Sequence, residues 1–91
     1  MKEAIMYYAD GRSEPVNPQN GTDFTLNELK SYVEGYIEII RLNDNKIMIV
    51  NEEGKIEQLE VNHAATRVVF ENGILDQIVG NALVCSIELV K

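Results

Sequence analysis

Residues 24–35, FTLNELKSYVEG, alternate polar and apolar positions with the period of a helix. Leu26, Leu29, Tyr32 and Val33 fall on one face of a 3.6-residue turn. Thr25 precedes the run and Glu28 stands three positions later, the pattern of a capping box; Phe24 and Leu29 flank the cap as a hydrophobic staple. The pattern predicts a capped helix over about 25–34. Gly35 follows where a helix commonly ends in the left-handed conformation, which costs glycine little because it has no Cβ. We therefore expect Gly35 to stop the helix and turn the chain directly into a strand.

Beyond Gly35 the pattern changes to that of strands. Tyr36–Leu42 and Lys46–Asn51 are rich in isoleucine and valine and are joined by Asn43-Asp44-Asn45, a turn composition. Both carry apolar residues on both faces, which predicts central strands covered on each side. Ala4–Tyr8 is a further apolar run. The Asp10-Gly11 pair after it signals a hairpin. Pro15 and Pro18 leave the return limb, at best, a short edge strand, followed by a loop to Asp23.

The C-terminal half is less regular. Asn51–Gly54 reads as a turn, and Lys55–Val61 as a weaker strand with Leu59 and Val61 on one face. In Asn62–Phe70, Ala65, Val68 and Val69 have helical spacing and Asn62 can cap, while TRVVF favours a strand. We take the helix, over about 62–70, ending at Asn72-Gly73. Ile74–Val79 and Ala82–Val90 read as strand, interrupted at Gly80-Asn81 by a tight turn or a bulge. The expected fold is α+β: a mainly antiparallel sheet of about five or six strands, one capped helix and a short second one.

Composition bounds the class. The 91 residues make a single domain, 1–91, with 45% hydrophobic and 25% charged residues, ordinary for a globular protein. The net charge is −7, and the lysines and arginines are scattered, which argues against nucleic-acid backbone binding. No apolar run approaches the ~20 residues needed to span a bilayer, and the N-terminus has no signal-peptide pattern. With Cys85 the lone cysteine, in an apolar run, a reduced thiol in a cytoplasmic protein is expected.

Candidate chemistry is sparse. His63 is the one histidine, and its spacing from Cys85 matches no nucleophile–base pattern. One His and one Cys cannot close a zinc site within one chain. The adjacent Glu52 and Glu53 diverge in a strand or turn, so they do not form an acid pair. The glycines sit in no phosphate-binding loop. No catalytic residue, metal site or cofactor is predicted. Thr25, Glu28, Gly35, Gly54 and Gly80 are read as structural.

TLNELKSYVEGYIEIIRL, then IVNEEGK, then NHAAT, then IVGNALV resemble the pattern of the family called domain of unknown function 3846. Its members are small proteins common in bacteriophages, plasmids and other bacterial mobile elements. The shared pattern falls on Thr25, Leu26 and Leu29 of the capped helix, on Gly35-Tyr36-Ile37-Glu38 and on Asn51, Glu52 and Gly54. It continues through Asn62, Ala65 and Thr66 to Val79 and Gly80. The match spans about residues 24–84. The chain departs from the pattern at Glu34, where members often have a second glycine.

The resemblance implies a setting, a small cytosolic accessory protein of a mobile element or its host, and no reaction. It singles out polar positions that folding alone would not require. Glu38 lies among isoleucines and must find a partner, the sheet surface or a pocket. Asn51, Asn62 and Thr66 suit turn and cap chemistry or a binding role. With His63, these are the candidate ligand- or partner-binding residues. Three functional readings follow. In the first, the chain binds an unidentified partner protein. In the second, it binds a small molecule or nucleotide in a polar pocket lined by Glu38, Asn62, His63 and Thr66, within one chain or at the interface of a dimer, the one homo-oligomer this reading allows. The third, an enzyme using His63 or Cys85, has the least support.

Overall fold

The computed structural model describes residues 4–90. Its centre is a five-stranded antiparallel sheet built from β1 (Ala4–Tyr7), β2 (Ser13–Pro15), β3 (Ile37–Arg41), β4 (Lys46–Asn51) and β5 (Ala82–Ser86), in the spatial order β2-β1-β5-β4-β3. Helix α1 (Leu26–Val33) lies on one face and α2 (His63–Glu71) on the other. Strand alternation sorts the core. Ile47, Ile49, Leu83 and Cys85 join Leu29 and Val33 under α1, whereas Met48, Val50 and Ala82 join Ala65 and Val69 under α2.

Helix α1 starts at Thr25, whose hydroxyl accepts the Glu28 N–H at 3.2 Å. Only this half of the capping box forms. The Glu28 carboxylate turns outward from the helix to accept the Gln19 N–H and the Tyr32 hydroxyl. The stripe is narrower than its period suggests, because Leu26 remains 59% exposed. Helix α2 starts at Asn62, and Gly73 follows its C-terminal end at φ 81°. The β3–β4 turn places Asp44 and Asn45 at φ 61° and 59°, the left-handed pair that suits a tight hairpin.

Several expectations are corrected. The left-handed residue that ends α1 is Glu34, at φ 63°, and Gly35 does not have positive φ. Strand β3 is not central but an edge strand with Glu38 and Ile39 exposed; β4 is the strand covered on both faces. Lys55–Val61 and Ile74–Val79 are not strands. They are turns and irregular chain that touch the β pattern only through an isolated Val61–Val79 bridge. The final strand stops at Ser86 and passes into a 3-10 turn, Ile87–Leu89.

Gly80-Asn81 is therefore neither a hairpin turn between strands nor a bulge in one. Gly80 takes φ 75°, and a Cβ there would meet Leu59 Cδ1 at 2.8 Å. The physical reason differs between the two irregular segments. Ile74 and Ile78 of the second pack into the α2-side core rather than extend a ladder, while in the first Leu59 lies against Gly80 and Ile56 stays exposed.

Candidate functional site

Two depressions lie on the α2 side of the molecule, separated by the irregular segment 74–77. The first is a cleft of about 160 Å³ beside β3. Ile40, Val50 and Ile78 supply apolar lining, and Glu38, Asn51, Glu52 and Lys55 supply polar groups. The second is a broader, shallower groove of about 610 Å³ along α2, lined by His63, Thr66, Arg67, Phe70, Ile74 and Leu75. Asp76 and Gln77 line both. Lys55 reaches across from the 52–58 turn to bond Asp76 at 2.5 Å. That hydrogen bond and charge hold the Asp76 carboxyl below its ordinary range.

The sequence-derived candidates divide between these places. Glu38 and Asn51 line the cleft. His63 is exposed in the first turn of α2 and shares the groove with Thr66. Asn62 lines neither and is buried. Its amide nitrogen donates to the Tyr7 and Gly80 carbonyls, each at 2.9 Å, while its oxygen accepts the Ala65 N–H at 3.0 Å. One side chain thus caps α2 and ties it to β1 and to the chain entering β5. Thr66 extends the tie: its hydroxyl donates to the Asn62 carbonyl at 2.8 Å and accepts the Ile78 N–H at 2.9 Å.

Asn51 does the corresponding work on the other helix. Its amide nitrogen donates to the Val33 carbonyl at 3.1 Å, and its oxygen accepts the Glu53 N–H at 2.8 Å. It joins the end of α1 to the turn after β4. The four residues proposed to share a polar pocket do not converge: Glu38 is on one side of segment 74–77, His63 and Thr66 are on the other, and Asn62 is inside.

Cys85 and His63 are likewise apart. The thiol is in the α1-side core, while His63 stands on the helix covering the opposite face. Burial pushes the thiol up to about 11, so at neutral pH it is protonated and a poor nucleophile. No group of three or more His, Cys, Asp or Glu residues that could hold a metal occurs among the described residues. No helix there is long and apolar enough to cross a membrane.

Residues not anticipated as site components are Lys55, Ile56, Phe70, Leu75 and Asp76. One signal was available. The helical stripe Ala65–Val68–Val69 leaves Phe70 off the core face, and Phe70 is indeed 64% exposed. Nothing in the sequence pattern marks Lys55 and Asp76 as partners, because 21 residues separate them and the contact depends on two irregular segments meeting.

The architecture defines a small α+β protein, an antiparallel sheet between two helices with two open depressions on one side. The chain belongs to the family described as domain of unknown function 3846, whose model matches residues 1–89. No curated protein and no solved structure matches it.

Proposed function

We propose that the chain is a non-catalytic accessory protein that acts by binding a partner protein through the side bearing the cleft and groove. The observation that carries this reading is the exposure of large apolar side chains around those depressions. Ile56 is 81% exposed, Phe70 64% and Leu75 87%. Exposed apolar clusters on small domains mark contact surfaces, and full burial of one such side chain contributes about 1.5–3 kcal/mol. The setting that accompanies this reading is the bacterial cytoplasm, in a mobile element or its host.

The test pairs immobilised wild-type protein with Phe70→Ser/Leu75→Ser in host lysate. Both positions are exposed, so the variant is expected to fold normally by circular dichroism. The reading requires a protein retained by the wild type and lost with the variant. Retention of the same proteins by both, or of none by either, would end it.

A second reading, small-molecule binding, draws on the cleft. Its polar lining over an apolar floor is the chemistry of a ligand site, but about 160 Å³ is below the ~300 Å³ where drug-sized sites begin. It suits an amino-acid-sized molecule better than a nucleotide. Native mass spectrometry of gently purified protein should then show a discrete small adduct, and bare protein alone would argue against it.

A further inference from the structure

The two edges of the sheet are built differently. Strand β2 is three residues long, Ser13–Pro15, and Pro15 has no N–H to offer. Strand β3 is five residues long with no proline, and its register with β4 runs unbroken from Ile37↔Asn51 to Arg41↔Ile47. The Tyr36 carbonyl accepts the Glu52 N–H and the Leu42 N–H donates to the Lys46 carbonyl, both at 2.9 Å. Even-numbered residues of this segment therefore face β4. By antiparallel alternation, the peptide groups of Ile37, Ile39 and Arg41 point away from the sheet. Such a row of donors and acceptors is what an added strand pairs with.

The cleft lies over the same strand. Ile40 and Val50 line it, with the Glu38 and Glu52 carboxylates beside them. Neither carboxylate has an ion-pair partner among the described residues. Glu38 is opposite Val50, and Glu52, just past the end of β4 and bonded through its N–H to the Tyr36 carbonyl, is its diagonal neighbour on one face. An added strand directs alternate side chains to that face. A side chain with an apolar stem and a cationic head would lay the stem along Ile40 and bring the charge to the two carboxylates.

A second copy of this chain fits less well. Pairing two copies antiparallel about Ile39 would set their Glu38 side chains diagonally on one face, and each chain carries a net charge of −7. The same charge attracts a basic segment.

We infer that β3 is the docking edge for an extended segment of a partner protein bearing a lysine or arginine. The segment pairs with the peptide groups of Ile37, Ile39 and Arg41 and places its cation against Glu38 and Glu52. This rests on the protein-binding reading above and specifies the partner's chemistry.

The test uses an end-blocked heptapeptide of alternating threonine and valine with one central lysine, and its counterpart with glutamate in that place. Binding to isotope-labelled protein is followed by NMR at low salt. The lysine peptide is expected to bind at least tenfold more tightly, to slow exchange of the Ile37, Ile39 and Arg41 amides, and to weaken with added salt. Ile39→Pro removes an outward N–H and should reduce binding at least tenfold while the Glu38 and Ile40 amides stay protected. Glu38→Lys, an exposed change that leaves the fold intact, should reverse the peptide preference.

Equal binding of the two peptides, no binding of either, or indifference to both substitutions would overturn the inference. So would concentration-dependent protection of the same amides without peptide, which would give the edge to a second copy. A lysate partner that Ile39→Pro and Glu38→Lys both retain, but Phe70→Ser/Leu75→Ser loses, would overturn the edge assignment and leave the broader reading standing.

Discussion

Gly35 and Asn51 approach so closely that a methyl group on Gly35 would stand 2.7 Å from the Asn51 amide nitrogen. That nitrogen cannot withdraw freely, because it donates to the Val33 carbonyl while the oxygen of the same side chain accepts the Glu53 N–H. The glycine is required by a neighbour rather than by its own backbone angles.

Gly35→Ala is therefore expected to destabilise by about 2 kcal/mol, the range for forcing an extra carbon into a packed site. Asn51→Ala should cost a similar amount by leaving the Val33 carbonyl and Glu53 N–H without that partner. The informative measurement is the double variant. If the clash is the cause, Gly35→Ala should cost much less in the Asn51→Ala background. Additive losses in urea titrations would mean that Gly35 acts through its backbone alone.

Glu34 carries the left-handed conformation at φ 63°, which is unfavourable for a residue with a Cβ by about 1–2 kcal/mol. Glu34→Gly removes that strain but loosens the unfolded chain. The net expectation is a gain of up to about 1 kcal/mol, or a rise of roughly 4–8 °C in Tm for a domain this size. A lower Tm for the variant would show that the Glu34 side chain contributes something beyond the turn.

Asn62 satisfies three backbone groups with one buried amide. Asn62→Ala should cost about 3 kcal/mol or more, since a lost cap accounts for about 1 and two carbonyls lose their donor. Asn62→Asp keeps the cap acceptor yet turns a carboxylate toward the Tyr7 and Gly80 carbonyls, so it should be no better tolerated. Thermal melts of both variants decide this. An aspartate variant as stable as wild type would mean that the two donated bonds contribute little.

Two raised acids predict an alkaline limit. Burial moves the Cys85 thiol from 9.0 to about 11. Desolvation, and then the bond to the Glu28 carboxylate, move Tyr32 from 10.0 to about 12. In each case the folded chain holds a proton that the unfolded chain releases at lower pH. Stability is therefore full below pH 9 and falls as pH rises, through 9–11 for the thiol and 10–12 for the phenol. A two-unit shift corresponds to about 2–3 kcal/mol for Cys85. Urea midpoints should be flat from pH 7 to 8.5 and fall beyond 9, and Cys85→Ala should remove the earlier part of that fall. A wild-type thiol that reacts with iodoacetamide in the native state at pH 8 would contradict its burial.

The parts of this fold legible in the sequence are those governed by neighbours a few residues apart. Thr25 accepting from Glu28 and Asn62 accepting from Ala65 are both local bonds, and both caps are found where the pattern puts them. So are the Asn43–Asn45 turn and the short, proline-limited β2. The candidate site was legible only in part. Glu38 and Asn51 do line a cleft, but its other wall comes from residues 76–79, which carry a strand-like pattern without forming a strand.

The periods of apolar residues and the capping positions determined, by themselves, helix α1, the α+β class and a largely antiparallel sheet; for residues 62–70 they allowed helix or strand, and the structure has the helix. Tertiary structure alone decided that β3 became the second edge, because strand composition without proline records burial tendency and not spatial order. It also decided that Gly35 faces Asn51, that Lys55 meets Asp76, and that Leu75 stays in water. Those relations join segments distant along the chain, and their energies exist only once the sheet has brought the segments together.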